Sequence, residues 1–108
     1  MATPKPGTRV RGSRTGKPIM ALLDLLGRRW SLRVLWELRE GTATFRELRA
    51  LCGNVSPTVL NERLRELREA GIVVLEGEVG FRVSDHGQTL LRALAPLGAW
   101  ATAWGKRT

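Results

Sequence analysis

Apolar residues at helical spacing predict three helices in the first half of the chain. The first stripe has members at i, i+3, i+4 and i+7, namely Ile19, Leu22, Leu23 and Leu26. This spacing predicts a helix over residues 18–26, and a similar pattern predicts a second helix over residues 31–40. Thr44 and Glu47 form a capping box, in which each side chain accepts a hydrogen bond from the other residue's free backbone N–H. A short third helix is expected to follow, to about Cys52.

Residues 57–70 show the most complete helix signals in the chain. Ser56 is a good N-cap, Pro57 suits the first helical turn, and Gly71 suits the position after the last turn. On a helical wheel three leucines fall on one side, toward a core: Leu60, Leu64 and Leu67. Four polar residues fall on the other side and are expected to face outward: Thr58, Asn61, Glu62 and Arg65. With the short helix before it and a turn over residues 52–56, this segment predicts a helix-turn-helix.

Beyond Gly71 the pattern changes to two short runs rich in β-branched residues, "IVVLE" and "GFRVS". The turn between the two runs begins at Gly77 and ends at Gly80, which predicts a small β-hairpin. Ser84 caps a last helical stretch whose apolar residues alternate spacings of four and three, as in a coiled-coil seam: Leu90, Leu94, Leu97, Ala101 and Trp104. Pro96 is expected to kink or split that helix. The chain is therefore predicted to be mainly α, a winged helix-turn-helix with a small β-hairpin wing.

Basic residues are concentrated at the two ends of the chain. The chain has 18 lysine and arginine residues against 10 acidic residues, a formal net charge of +8. Residues 1–17 contain five of the basic residues and no acidic one: Lys5, Arg9, Arg11, Arg14 and Lys17. They also lack a hydrophobic run, so we expect a flexible basic arm before a single domain at residues 18–108. This charge predicts a polyanionic partner, nucleic acid before an anionic membrane surface.

The sequence contains few candidates for other chemistry. No segment has the apolar run of a signal peptide or a membrane span, so a cytoplasmic protein is expected. Cys52, the single cysteine, is predicted to be a small buried hydrophobic residue, with redox sensing as the alternative. His86, the single histidine, is predicted to lie at the surface or near a helix cap. Metal-ligand spacings, phosphate-binding loops and paired catalytic carboxylates are absent from the sequence, which predicts neither an enzyme nor a bound cofactor.

Four separated segments of the chain match the sequence motif of a known protein family. In chain order they are "LLDLLGRRWSLRVLWEL", "TFRELRAL", "VSPTVLNERLRELREAGIV" and "SDHGQTLLRALAPLGAW". Together they resemble the HxlR-type winged-helix transcription regulators of bacteria, relatives of the broader MarR-like group, over roughly residues 17–104. The residues that fall at positions of the family's motif are Trp30, Phe45, Glu47, Leu48, Ser56, Leu60, Arg63, Leu64, Leu67, Gly71, Gly87 and Trp100. The resemblance implies a homodimer that binds a palindromic DNA site and represses or activates nearby genes.

The chain departs from that family pattern in three places. Lys17 stands where many members have a cysteine, some of them thiol sensors, so sensing by that route is not expected. The wing is shorter than usual and carries Glu76 and Glu78 beside one basic residue, Arg82, which predicts that the wing binds DNA weakly. The basic arm is not required by the family pattern. It could replace the wing's contribution to phosphate binding.

The outward side of the fourth helix predicts how DNA would be read. Asn61 can pair with adenine, Arg65 can reach guanine or phosphate, and Glu62 can accept a hydrogen bond from cytosine. Thr58 can touch a base edge or a thymine methyl group, and the alternative for each residue is an ordinary solvated face. Arg63 projects nearer the core, so a structural ion pair is expected there. Seven residues are predicted to contact the DNA backbone: Thr44, Arg46, Ser56, Arg82, Arg9, Arg11 and Arg14.

The apolar stripe of Leu91, Trp100 and Trp104 on the last helix exceeds what a small core needs, and residues 18–26 offer a matching stripe from a second copy. They predict a homodimer that forms through the N- and C-terminal helices, with ordinary core packing as the alternative. The predicted interface residues are Leu22, Leu90, Leu94, Leu97, Trp100 and Trp104. A twofold dimer would place two recognition helices about one DNA turn apart and would favour an inverted repeat. A repressor is the expected role, and a small-molecule effector could bind in a pocket between the dimer helices and the recognition unit.

Two other classes of function stay open at this point. A winged helix can serve as a protein-interaction or RNA-associated module, which the acidic wing favours. A small enzyme is the weaker alternative, because the sequence offers no nucleophile and no acid–base pair. Binding to duplex DNA, the favoured class, would associate a cytoplasmic protein with the nucleoid.

Overall fold

The computed structural model describes residues 17–107, and within this part the chain forms six helices and one two-stranded sheet. In chain order the elements are α1 (Pro18–Leu26), α2 (Ser31–Glu37), α3 (Phe45–Leu51), α4 (Pro57–Glu69), β1 (Val73–Glu76), β2 (Gly80–Val83), α5 (Asp85–Leu94) and α6 (Pro96–Lys106). This order confirms the mainly α winged helix-turn-helix fold. The predicted basic arm, with Arg9, Arg11 and Arg14, lies outside the described residues apart from Lys17.

The start of α3 has the predicted capping box. The Thr44 hydroxyl accepts a hydrogen bond from the Glu47 backbone N–H at 3.1 Å, and the Glu47 carboxylate accepts one from the Thr44 N–H at 2.9 Å. Hydrogen bonds that the Glu47 carboxylate accepts from Thr44, first from its backbone N–H and second from its side chain, lower the pKa of Glu47, because they favour the ionised carboxylate. The cap therefore satisfies free backbone donors where the helix begins.

The second helix is shorter than predicted, because it ends at Glu37 and not at residue 40. Ala43 explains the difference. Its backbone N–H donates to the Phe81 carbonyl at 3.0 Å, and its carbonyl accepts from the Phe81 N–H at 2.8 Å. The helix has to end several residues before Ala43, because Ala43 lies beside the second strand in an extended conformation. The prediction of a helix over residues 31–40 is wrong at its C-terminal end for that reason.

The wing is the predicted hairpin. Strands β1 and β2 pair antiparallel, with Val73 opposite Val83 and Glu76 opposite Gly80. The bridge at Ala43 joins the edge of this hairpin to the loop before α3. Gly80 permits that close approach, since its φ is +121° and a Cβ atom there would lie 2.4 Å from the Ala43 carbonyl oxygen.

The core lies between α2, α3 and the inner side of α4, with the sheet at one end. Leu60, Leu64 and Leu67 are all buried in it, as their spacing predicts. Cys52 is buried as well, and burial raises the pKa of its thiol. His86 is exposed in the first turn of α5, which agrees with the predicted surface position.

The last helical stretch is split, as Pro96 predicts. Helix α5 begins at the Ser84 cap, whose hydroxyl oxygen accepts from the Gly87 N–H at 2.9 Å and donates to the Gly71 carbonyl at 2.6 Å. It ends at Leu94, and α6 begins at Pro96. No helix within residues 17–107 has the length and apolar character needed to cross a bilayer.

Candidate nucleic-acid interface

The polar side of α4 faces outward. Thr58, Asn61 and Glu62 are exposed and Arg65 is partly exposed, while the three leucines of the opposite side are buried. Ser56 caps the helix through a hydrogen bond that its hydroxyl accepts from the Val59 N–H, at 3.4 Å. The structure thus brings the four residues predicted to contact bases onto one surface, as the helical wheel predicts.

The turn between α3 and α4 is held by backbone geometry and one arginine. Gly53 and Asn54 both adopt the left-handed conformation, with φ of +68° and +61°. The Asn54 N–H donates to the Arg49 carbonyl at 2.9 Å, and Arg49 Nε donates to the Val55 carbonyl at 2.8 Å. This bracing orients α4 relative to α3. No pattern in the sequence points to Arg49, because its partner is a backbone carbonyl six residues away.

Arg65 lies between two carboxylates on the outer surface of α4. Its Nη2 atom is 2.9 Å from Glu62 Oε2, and its Nη1 atom is 2.5 Å from Glu69 Oε1. Hydrogen bonds from Arg65 lower the pKa of Glu62, and the two carboxylates raise the pKa of Arg65. Glu62 and Arg65, each predicted from the sequence as a separate base contact, therefore form one group together with Glu69.

A buried ion-pair network holds the inner side of α4 to the junction of α1 and α2. Glu66 is only 3% exposed, and its carboxylate oxygens lie 2.7 Å from Arg28 Nη1 and 2.9 Å from Arg63 Nη1. Arg63 Nε also donates to the Arg29 carbonyl at 2.7 Å. The structural ion pair predicted for Arg63 is confirmed. Glu66 was missed, although its position three residues after Arg63 is the signal that could have found it.

The residues predicted to contact the DNA backbone have different environments. Arg46 and Ser56 are exposed, and Thr44 is partly buried in the capping box. Arg82 forms an ion pair with Glu76 across the two strands of the wing. The one basic side chain of the wing is therefore balanced by a carboxylate of the same hairpin.

The C-terminal helix exposes a large apolar surface. None of the described residues of α6 is buried, and Leu97, Trp100 and Trp104 are 57%, 63% and 58% exposed. The two indole rings stack with their centroids 5.7 Å apart. Leu94 is partly buried.

The predicted interface residues nearer the domain body behave differently. Leu22 and Leu90 are partly buried and pack against the core. On α1, the exposed apolar residues are Ile19 and Leu23. The alternative of core packing therefore describes Leu22 and Leu90 better than it describes the residues of α6.

An apolar cavity of about 420 Å³ lies between α1 and the start of α5. Its lining includes Ile19, Leu22, Leu25, Ile72, His86 and Leu90. Within residues 17–107 no three histidine, cysteine or acidic residues are grouped to hold a metal ion. The cavity can accept a small, mostly apolar molecule, with the His86 imidazole as a polar group at its wall.

Known proteins resemble the chain over its whole helix-turn-helix and wing. A model of the HxlR-like helix-turn-helix family matches residues 25–108. YvaP, an uncharacterized HTH-type transcriptional regulator of Bacillus subtilis (strain 168), is 32% identical over 88 residues, which cover 76% of this chain and 82% of YvaP.

Solved structures show the same arrangement of elements. The crystal structure of quinone-bound YodB from B. subtilis has a TM-score of 0.71 and 28% identity, and the match covers 79% of this chain and 96% of that one. The structure of YtcD, an HTH-type transcriptional regulator, has a TM-score of 0.72 and 26% identity, with 82% of this chain and 96% of that one covered. The fold and the regulatory class of these proteins agree with the geometry of α3, α4 and the wing.

Proposed function

The chain belongs to the HxlR-like helix-turn-helix family, and from this premise we propose that it is a homodimeric repressor that binds a palindromic operator. That it is a DNA-binding transcriptional regulator follows from the family and from relatives such as YvaP. The operator-binding part of the proposal is supported mainly by the division of α4 into a buried leucine side and an exposed polar side. A helix held in this way can offer polar groups to the major groove without losing its core contacts.

The proposed base contacts lie on the exposed side of α4. Asn61 can form two hydrogen bonds with adenine, and Arg65 can do the same with the O6 and N7 atoms of guanine. Thr58, in the first turn, can reach a base edge or a thymine methyl group, and Glu62 completes the set. Recognition helices usually contact bases through their N-terminal residues, which favours Thr58 and Asn61 as the residues nearest the groove floor.

Backbone contacts would set the register of the protein on the duplex. In the described part of the chain the proposed residues are Thr44, Arg46, Ser56 and Arg82, all at or beside the helix-turn-helix and the wing. Because Arg82 is paired with Glu76, the wing contributes little net positive charge. We assign the larger electrostatic contribution to the arm, through Arg9, Arg11 and Arg14.

The proposed dimer uses α6. Two tryptophans and a leucine that are more than half exposed form an apolar surface that a second copy can cover. Ile19 and Leu23 on α1 offer apolar partners of similar exposure. A twofold axis through this contact would relate two α4 helices and so require an inverted repeat in the DNA.

The proposed effector is a small, mostly apolar molecule in the cavity between α1 and α5. Its volume of about 420 Å³ falls in the range of small-molecule sites, about 300–1,000 Å³. The related structure of YodB is quinone-bound, which supports the proposal that a regulator of this fold can hold such a ligand. Lys17 occupies the position of the cysteine found in many members, so the proposed binding does not depend on a thiol there.

Selection of bound duplexes from a random pool tests the operator proposal. We expect enrichment of an inverted repeat whose half-sites are about one helical turn apart. Replacing Arg9, Arg11 and Arg14 by glutamine in the full chain should then lower the slope of log K against log salt by about two to three, with sequence preference retained.

Three results would contradict the proposal. Selection of single half-sites would argue against the twofold dimer. An unchanged salt slope would remove the proposed role of the arm. DNA binding that does not depend on salt would favour the interpretation as a protein-interaction or RNA-associated module, which the paired charges of the wing also support.

A further inference from the structure

The outer surface of α4 carries a three-residue ion-pair group, here called the clasp: Glu62, Arg65 and Glu69. The guanidinium of Arg65 contacts one carboxylate on the preceding turn at 2.9 Å and one on the following turn at 2.5 Å. The side chains are 48%, 42% and 40% exposed, in chain order. The clasp is therefore accessible to a ligand and is not part of the core.

The charge of the clasp differs from that of an isolated arginine. Two carboxylates surround one guanidinium, so the group carries a formal charge of −1 at neutral pH. A phosphate that approaches Arg65 would also approach Glu62 and Glu69, which repel it. Arg65 is therefore a poor general phosphate contact while both carboxylates are present.

The geometry of the clasp still leaves Arg65 able to bind a base. A guanidinium has five N–H donors, and two contacts to carboxylates leave further donors in the same plane. Carboxylates on both sides restrict the rotation of a long side chain, which reduces the entropy lost when it binds a guanine edge. A neutral base edge is also repelled far less by the carboxylates than a phosphate is.

We propose that Glu62 and Glu69 are positioning residues that orient Arg65 toward one guanine and weaken its contact with phosphates at non-operator DNA. The proposal rests on the proposed function of α4 as the recognition helix, and it adds the residues that set specificity at one base pair. Glu62 then affects which base is preferred at that position, because it orients Arg65. Its own contact with a base is not required.

The test measures affinity for three duplexes: the selected operator, the same operator with one G·C pair changed to A·T, and an unrelated duplex. The G·C pair is the one at which Arg65→Ala relaxes preference. The variants are Glu62→Gln, Glu69→Gln and the double variant, all in the full chain. Glu40→Gln is the matched control, because it removes an exposed carboxylate that lies outside α4. Thermal unfolding of each variant checks that the fold is intact.

We expect the double variant to bind the unrelated duplex more tightly and to lose discrimination at the Arg65-dependent pair. One bidentate contact gives about 1–3 kcal/mol of discrimination, which is about 5- to 150-fold, so the expected loss is at least about fivefold. Each single variant should show part of both effects. Glu40→Gln should leave discrimination unchanged.

Two results with the glutamine variants would overturn the inference. One is unchanged discrimination in the double variant, which would mean that the pairs only support the helix. The other is an equal change in Glu40→Gln, which would indicate a general effect of net charge. If Arg65→Ala relaxes no position while Asn61→Ala does, the clasp proposal fails and the proposed function stands. If the wild type shows no sequence preference at all, the proposed function itself fails.

Discussion

Helices α4 and α6 both carry an apolar stripe, but the chain covers only one of them. On α4 the three stripe leucines are at most 1% exposed, and a buried ion-pair network fixes the same side. On α6 no described residue is buried, and the largest apolar side chains are more than half exposed. The apolar stripe of α4 is therefore buried within a single chain, whereas the apolar stripe of α6 stays exposed unless a second molecule covers it.

The energetic consequence differs for the two helices. Burying one leucine side chain stabilises a fold by about 1.5–3 kcal/mol, so the leucines of α4 contribute substantially to a domain of this size. The stripe of α6 makes no comparable contribution to the single chain. Exposed apolar surface of this kind is typical of interaction sites, which is why we assign α6 to the interface of the proposed dimer.

The largest expected effect comes from removing the apolar surface of α6. Replacing Trp100 and Trp104 together by alanine should convert a dimer to monomers, since each indole can bury on the order of 150–250 Å². Operator affinity should fall by about 10²- to 10⁴-fold, because the two recognition helices are no longer linked. Sedimentation at micromolar concentration gives the oligomeric state. A wild-type chain that sediments as a single species near 12.0 kDa would contradict the assignment of α6.

The stripe of α4 should respond in the opposite way. Leu64→Ala creates a cavity in the core and should lower the free energy of unfolding by about 2–5 kcal/mol, measured by urea titration. Leu97→Ala is the matched control, because it removes the same group from an exposed position of α6. Under conditions in which the chain is monomeric, it should change that free energy by no more than about 0.5 kcal/mol. Equal losses in the two variants would remove the distinction between the helices.

Local patterns in the sequence predicted much of this fold. The bounds of α1, the capping box of α3, the Ser56 cap, the buried leucines of α4 and the division at Pro96 all depend on residues close together in the chain. Such features need only short-range geometry, so one sequence is enough to find them.

Features that depend on distant residues were not predicted. The end of α2 depends on Ala43 meeting Phe81, and the burial of Glu66 depends on Arg28. At the candidate site, the outward side of α4 was predicted, but the clasp around Arg65 was missed, although its members are only three and four residues apart in the chain. A helical wheel gives the direction of each side chain and does not show which charged groups will pair. The DNA contacts assigned to these residues remain predictions.

The exposed side of α4 can be tested against an exposed polar residue of α6. Asn61→Ala should weaken operator binding by about 1–3 kcal/mol, because it removes the proposed contacts with adenine. Non-specific binding and thermal stability should stay nearly unchanged. Thr102→Ala, on the exposed surface of α6, should leave operator affinity unaffected. Loss of thermal stability in Asn61→Ala, or an unchanged operator affinity, would mean that the outer side of α4 is assigned wrongly.

The smallest expected effect concerns α3, the helix that precedes and supports α4. Hydrogen bonds from Thr44 hold the pKa of Glu47 below its ordinary value of 4.5, so ionised Glu47 stabilises the fold above that pH. The contribution should be lost as the pH falls through the lowered pKa, when the carboxylate becomes protonated in the folded chain as well. Glu47→Gln keeps an acceptor for the Thr44 N–H and removes the charge, so urea titrations of both proteins between pH 7 and pH 3 isolate the charge effect. We expect the advantage of the wild type to be constant above about pH 5 and to shrink below it, since the unfolded carboxyl titrates near 4.5. An advantage that grew on acidification would mean that the capping box does not favour the ionised carboxylate.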